Sequence, residues 1–176
     1  TAIAKVTEHG EIIFFKHLEK SNGKLTIKPK MEEKVGLIKI TINMNPKQFE
    51  FFKGYKGLII EGTGLGHTPG DVVDKYTKIH EKIIKAIKAL TKSGCIVFMA
   101  STCLYGRVNM SVYSKGHKLQ EAGVIGNLTD MLPETAFIKL AWLLGNYKDK
   151  EKIKELMCTN LRGEISNYTS QEWEST

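Results

Sequence analysis

The sequence predicts an α/β fold in which helices cover both faces of a mostly parallel sheet, a three-layer arrangement preceded by a short β-hairpin or meander. Three apolar runs, at 35–40, 57–60 and 95–100, have the length of buried strands. Segments with the apolar spacing of amphipathic helices occur between and after these runs. Strands that alternate with helices are typical of βαβ units, whose crossovers are right-handed in a parallel sheet.

The composition is that of a globular domain. The chain has 176 residues, of which 41% are hydrophobic and 26% are charged, which argues against a disordered or fibrous protein. No run approaches the roughly 20 apolar residues that a helix needs to cross a bilayer. The three cysteines are scattered, which fits a reducing compartment better than a disulfide framework or a zinc site. We therefore expect a cytoplasmic protein.

Basic residues outnumber acidic residues, 26 against 19, which gives a formal charge of +7. Lysines recur along one predicted helix, at Lys75, Lys78, Lys82, Lys85 and Lys88. A solvated helix face is the more common interpretation of such a pattern, and a patch that faces RNA is the alternative.

The amino-terminal part of the chain differs from the rest. Short antiparallel strands are predicted at 2–6, 11–15 and 25–28. Because the chain opens on Thr1 in what reads as a strand, we expect it to be a piece of a longer protein. We divide it into a hairpin or meander segment (1–34), an α/β domain (35–160) and a tail (161–176).

Cap residues define the predicted helices of the α/β domain. Asn45 caps a short helix that has Pro46 at its first position and stops at Gly54. Asp71 caps the longest helix, which runs to Gly94. Further elements are predicted at 114–122, at 124–125 as a brief strand, at 133–145, and from residue 149 as a last helix.

Three loops, at 43–45, 61–70 and 101–110, follow the predicted strands at their carboxyl ends, where parallel α/β sheets bind ligands and partners. The 61–70 loop, which we call the glycine loop, does not match the dinucleotide fingerprint, because its glycines are spaced G-x-G-x-G and do not lead directly into a helix. The sequence also contains no P-loop. Nucleotide binding is therefore disfavoured.

Polar side chains in these loops are the candidate site residues. His67, in the glycine loop, either contacts a substrate or handles a proton, or is a hydrogen-bonded surface residue. Tyr105, Arg107, Asn109 and Tyr113 follow the third buried strand, where they form either a binding or interface surface or a loop held by its own hydrogen bonds.

A complete catalytic set is not visible in the sequence. Cys103 has no base nearby, so a structural thiol is favoured. There is no Ser/His/Asp set, no metal-ligand cluster and no Thr-Lys-Asp arrangement that would activate a nucleophile. We predict that the chain binds no metal and carries no catalytic residue of its own.

Three separated motifs together resemble the C-terminal domain of the asparaginase family, a flavodoxin-like α/β domain. They are 62–67 (GTGLGH), 101–110 (STCLYGRVNM), and 122–125 (AGVI) with 130–136 (DMLPETA). The second and third are most similar to the archaeal tRNA-dependent amidotransferases of that family. The resemblance covers about residues 1–165.

The resemblance implies roles that the residues alone do not. Nucleophilic threonines and the Asp and Lys that activate them are expected in an upstream domain, with residues 1–34 at its end. Gly64, Gly66 and His67 are implied to approach an active site formed with the neighbouring subunit of a dimer, with His67 in the place of the asparaginases' active-site asparagine. Tyr113 is the second candidate close to the substrate.

Partners and cofactors are also implied by the resemblance. The amidotransferase branch implies a homodimer that hydrolyses glutamine to ammonia, and a partner subunit that binds tRNA, uses ATP and magnesium, and converts Glu-tRNA(Gln) to Gln-tRNA(Gln). This chain is expected to bind no cofactor and no membrane, and to meet tRNA(Gln) indirectly. The alternatives are the C-terminal domain of a cytosolic L-asparaginase and a non-catalytic flavodoxin-like binding module.

Overall fold

The computed structural model describes residues 3–15 and 23–167. Two antiparallel strands, β1 (Ala4–Val6) and β2 (Ile12–Phe14), precede a parallel sheet of three strands, β3 (Val35–Lys39), β4 (Gly57–Gly62) and β5 (Ile96–Ser101), in the order β3-β4-β5. The helices are α1 (Pro46–Glu50), α2 (Ile79–Lys92), α3 (Ser114–Glu121), α4 (Pro133–Asn146) and α5 (Lys150–Met157). No described helix is both long and apolar enough to span a membrane.

Helices cover both faces of the parallel sheet, as predicted. Leu58 and Ile60 of β4 point towards a core that includes buried residues of α1, α2 and α3. Ile59, between them, belongs to a second core with α4 and α5. Because successive strand residues point to opposite faces, an unbroken apolar run such as that of β4 serves both cores. The predicted α/β class with a hairpin before it is confirmed.

The predicted third strand at 25–28 is wrong. Residues 25–28 pair with no strand among the described residues, and the chain meets α4 at Lys28 and Lys30. Trp142 Nε1 donates to the Lys28 carbonyl at 2.8 Å, and Asn146 Nδ2 donates to the Lys30 carbonyl at 2.7 Å. Gly145 makes this approach possible, since a Cβ there would lie 2.5 Å from the Lys30 oxygen. Side chains of a helix, not a neighbouring strand, satisfy this backbone.

The predicted start of the long helix at Asp71 is also wrong, because α2 begins at Ile79. The Asp71 carboxylate accepts hydrogen bonds from Ser114 Oγ at 3.0 Å and from Lys118 Nζ at 2.8 Å, so it is not available as a cap. Asp74 Oδ1 instead accepts from the amides of Tyr76 and Thr77 in a local turn. Such short side-chain bonds to backbone compete with helix formation.

The predicted end of the first helix at Gly54 is wrong, because α1 ends at Glu50 and residues 51–54 form turns, whereas the other predicted elements are present within one or two residues. Asn45 and Gln48 form a capping box at the start of α1. The brief strand at 124–125 is a single parallel bridge between Ile125 and Phe98. Residues 161–167, in the predicted tail, pack against the second core through Ile165. Residues 2 and 168–176, on which parts of the predicted strand and tail fall, lie outside the described residues, and the domain boundaries stay predictions.

Candidate functional site

The loops that follow β4 and β5 are joined at the carboxyl end of the sheet. The Thr102 amide donates to the Gly62 carbonyl at 2.9 Å, and the Asn109 amide donates to the Leu65 carbonyl at 2.8 Å. Ser101 Oγ also donates to the Gly64 carbonyl. These bonds make one rigid platform of the glycine loop and the 101–110 loop.

The glycine loop closes on itself as a tight turn. Thr63 and His67 exchange backbone hydrogen bonds of 3.0 and 3.1 Å, and the Gly66 amide donates to the Thr63 carbonyl at 3.0 Å. Gly64 and Gly66 have φ of +52° and +85°, which favours glycine. A Cβ at Gly66 would also lie 2.8 Å from Val108. The glycines therefore allow the turn and its packing, and the amides of Gly66 and His67 are not free to hold a phosphate.

His67 is buried at the edge of this platform. Its side chain is 3% exposed, and Nε2 has no hydrogen-bond partner among the described residues. The ring contacts Tyr113 edge to face, with centroids 5.3 Å apart. The structure thus brings together the two predicted substrate-proximal side chains. The alternative interpretation of His67 as a hydrogen-bonded surface residue is wrong.

Thr68 is a site residue that the sequence analysis missed. It is 2% exposed, and Oγ1, like the neighbouring His67 Nε2, is buried with no partner in the described part of the chain. Leaving such a group unsatisfied costs about 1–3 kcal/mol, so buried polar atoms almost always have a partner. Its position beside His67, in the loop that follows the buried strand β4, is the signal that could have identified it.

The electrostatic surroundings keep the His67 ring neutral near pH 7. Burial lowers the pKa of His67, the Lys115 cation lowers it further, and Asp71 opposes them. The hydrogen bond from Lys118 is the main cause that lowers the pKa of Asp71. A neutral imidazole can donate at one nitrogen and accept at the other, so Nε2 is able to bind either kind of polar group.

The remaining candidates of the 101–110 loop differ in their surroundings. Arg107 donates to the Leu128 carbonyl at 2.8 Å and to the Ser166 carbonyl at 2.6 Å, and its guanidinium lies 3.9 Å from Asp130. Asn109 Oδ1 accepts from the Ser111 amide at 3.2 Å. Tyr105 is 66% exposed. Arg107 and Asn109 hold the loop in place, and an interface role for any of the three stays a prediction.

A groove of about 730 Å³ lies elsewhere, between α4, α5 and the 161–164 segment. Its apolar wall consists of Ile138, Trp142, Tyr147, Leu156 and Leu161. None of the residues that line it belongs to the loops at the strand ends. No group of His, Cys, Asp and Glu side chains in residues 3–15 and 23–167 is arranged to hold a metal ion.

Comparison with known families and structures gives a consistent result. The family described as the Glutaminase/Asparaginase C-terminal domain matches residues 34–157. The L-asparaginase of Thermococcus kodakarensis has a TM-score of 0.77 and 28% identity, and the match covers 94% of this chain and 48% of that one. The L-asparaginase I of Vibrio cholerae O1 biovar eltor has a TM-score of 0.73 and 27% identity, with 93% and 47% covered.

Among curated proteins, the relatives carry the name of the D subunit of glutamyl-tRNA(Gln) amidotransferase. Those of Pyrococcus horikoshii and Pyrococcus furiosus are 45% and 46% identical over 171 residues, which is 95% of this chain. That of Sulfolobus acidocaldarius is 46% identical over 145 residues, or 81% of this chain. The chain spans 36% of the length of the first two relatives and 30% of the third.

Proposed function

Because the chain belongs to the glutaminase/asparaginase C-terminal domain family, we propose that it is the C-terminal part of the glutamine-hydrolysing subunit of a tRNA-dependent amidotransferase. The identity of 40–46% to proteins that carry the name of such an amidotransferase subunit supports this assignment. The longer protein hydrolyses glutamine and releases ammonia. The threonines, aspartate and lysine that perform the hydrolysis belong to its upstream domain.

The observation that carries the proposal is that two consecutive residues of the glycine loop, His67 and Thr68, each bury a polar atom, Nε2 and Oγ1, that has no partner among the described residues. A self-contained binding module would satisfy such groups internally. An active site completed by another part of the protein, or by a neighbouring subunit, supplies the missing partner. The carboxyl end of a parallel sheet is the edge where α/β proteins place such sites.

His67 is proposed to contact the substrate or a catalytic group through Nε2. Its neutral ring, held edge-on by Tyr113, presents one hydrogen-bonding atom in a fixed direction. Gly64 and Gly66 shape the turn that carries it. A neutral donor or acceptor suits an amide substrate such as glutamine, whose side chain offers both a carbonyl and an NH2 group.

The assembly is part of the same proposal. Two asparaginase-like subunits form a homodimer, and a partner subunit binds tRNA(Gln), uses ATP with magnesium to activate Glu-tRNA(Gln), and captures the ammonia. This chain holds no cofactor itself in this proposal, and the complex works in the cytoplasm. The relatives' designation as a subunit supports the existence of a partner.

Ammonia release from glutamine and from asparagine tests the proposal. The assay compares the 176-residue chain alone with the longer protein that includes the upstream region. No release from the chain, together with release from glutamine by the longer protein, is the expected result. Ammonia from the chain alone would contradict it, because a complete active site would then lie within these 176 residues.

A cytosolic L-asparaginase is the second candidate function, favoured by the two solved L-asparaginases whose folds match this chain. The same assay separates the two. Faster release from asparagine than from glutamine by the longer protein would support the asparaginase. Inactivity of the longer protein on both substrates would leave the non-catalytic binding module, and would contradict both enzymatic candidates.

A further inference from the structure

One side of α2 carries a row of lysines, which we call the lysine stripe. Its members are Lys78, Lys82, Lys85, Lys88 and Lys92, all exposed. Steps of four, three, three and four residues keep them within about one third of the helix circumference, given roughly 3.6 residues per turn. At ~1.5 Å per residue the row is about 21 Å long.

The stripe is held in a fixed direction by the core. Ile83, Ile87 and Leu90, on the other side of α2, are buried in the core that faces α1 and α3. The helix therefore cannot rotate without exposing these apolar side chains to water, which is unfavourable. The lysines face outward on a rigid support.

The positive charge of the stripe is largely uncompensated. Glu81 is the one acidic residue in the sequence of α2, and it pairs with Lys85 at 2.7 Å. The other four lysines of the stripe form no ion pair with any residue in the described ranges. Four ammonium groups without an ion pair in one row create a local positive potential, which attracts an extended polyanion.

We infer that the lysine stripe binds the phosphodiester backbone of a nucleic acid. A row about 21 Å long matches roughly six phosphates along one strand of a DNA duplex, where they are spaced ~3.4 Å along the helix axis. Lysine supplies sequence-independent phosphate contacts, whereas protein–protein interfaces are depleted in lysine. An anionic membrane fits less well, because helices that lie in membranes expose an apolar side, and that side of α2 is buried. The inference does not rest on the proposed glutaminase activity.

The test measures, by fluorescence anisotropy, how the full chain binds a labelled oligouridylate of about 20 nucleotides. The salt concentration is varied from about 50 to about 200 mM, a range over which an affinity that depends on phosphate contacts falls strongly. The variant replaces Lys78, Lys82, Lys88 and Lys92 with glutamine. Each phosphate contact contributes about 0.7 to the slope of log affinity against log salt. We expect the slope to fall by about 3 and the affinity at low salt to fall more than tenfold.

A matched control separates the stripe from the net charge. The control variant replaces four exposed lysines outside α2 with glutamine and so removes the same number of charges: Lys5, Lys24, Lys30 and Lys148. This control is expected to keep most of the slope, and arginine at the four stripe positions is expected to keep both slope and affinity. Equal losses in the two glutamine variants would overturn the inference, since binding would then follow the overall charge.

Two further outcomes would also overturn it. One is the absence of oligouridylate binding by the unmodified chain at low salt. The other is competition by phosphatidylserine vesicles or polyglutamate. If either displaces the oligonucleotide when the two carry equal concentrations of negative charge, the stripe does not prefer phosphodiesters. A duplex DNA of the same length distinguishes DNA from RNA as the source of the backbone. Circular dichroism of each variant verifies that α2 still folds.

Discussion

Replacing Lys139 with methionine is expected to destabilise the chain by detaching the 158–167 segment from α4. The Lys139 ammonium is buried, with the residue 8% exposed. It donates to Glu164 Oε1 at 2.7 Å, to the Thr159 carbonyl at 2.6 Å and to the Met157 carbonyl at 3.3 Å. One cation thus satisfies three acceptors, so its removal leaves a buried carboxylate and two carbonyls without their donor.

The shifted pKa of Glu164 gives the magnitude. Burial acts to raise this pKa, but hydrogen bonds from Lys139 and from the amides of Leu161 and Arg162 outweigh it and hold the pKa at about 2, against an ordinary 4.5. A lowered pKa contributes stability above pH 4.5 that is lost as the pH falls towards 2. The difference corresponds to about 3 kcal/mol at pH 7, and about half of that remains at pH 3.

Urea unfolding at pH 7 and pH 3 measures this effect. Because the amides of Leu161 and Arg162 still lower the pKa of Glu164 in the variant, Lys139→Met is expected to lower the free energy of unfolding by at most about 3 kcal/mol at pH 7, and by about half of that loss at pH 3. The double variant with Glu164→Gln is expected to be clearly more stable than the sum of the single losses predicts, because the unpaired charge is gone. Lys148→Met, at an exposed position, is the control.

A loss below about 0.5 kcal/mol in Lys139→Met, the range of ordinary surface substitutions, would refute the assigned role of the ion pair. So would a loss that is equal at both pH values, because the carboxylate would then not be the group that responds. Additive losses in the double variant would show that Lys139 and Glu164 act independently.

Three other predictions concern the site and the thiols. In the longer protein, His67→Ala is expected to lower glutamine hydrolysis severalfold without changing the elution volume in size-exclusion chromatography, and normal hydrolysis would remove His67 from the site. Gly66→Ala is expected to lower the melting temperature more than Gly64→Ala. Both glycines have a positive φ, but only at Gly66 would the new methyl group overlap neighbouring side chains. Equal shifts in melting temperature would contradict the packing argument. Burial raises the pKa of Cys95 to about 11, so a thiol reagent at about pH 8 is expected to modify the exposed Cys103 well before Cys95. Peptide mass spectrometry measures the two rates of modification, and equal rates would show that Cys95 is accessible.

The parts of the fold that the sequence predicts correctly are those set by local chemistry. The buried strand β4 is recognisable because every one of its apolar residues faces a core. The start of α1 is recognisable because Asn45 and Gln48 cap it within three residues of each other. In both cases the deciding interactions lie within the element or in its repeat pattern.

The errors have the opposite cause. Asp71 has the right residue type to cap a helix, but Ser114 and Lys118, more than forty residues later, take its carboxylate. The 25–28 segment has the composition of a strand, but Trp142 of α4 donates to the carbonyl of its last residue, Lys28. Partners that are distant in the sequence outweigh local propensity here, and no local pattern reveals them.

The same distinction explains the site. The sequence places His67 in a loop at the end of a strand, but a loop position alone cannot show whether the ring is buried. The ring contacts Tyr113, which lies at the start of α3, more than forty residues later in the sequence. In the folded domain Nε2 of His67 and Oγ1 of Thr68 are buried and lack a partner among the described residues. Since such atoms are costly to leave unsatisfied, they support the proposal that the active form of the protein includes another group at this edge of the sheet.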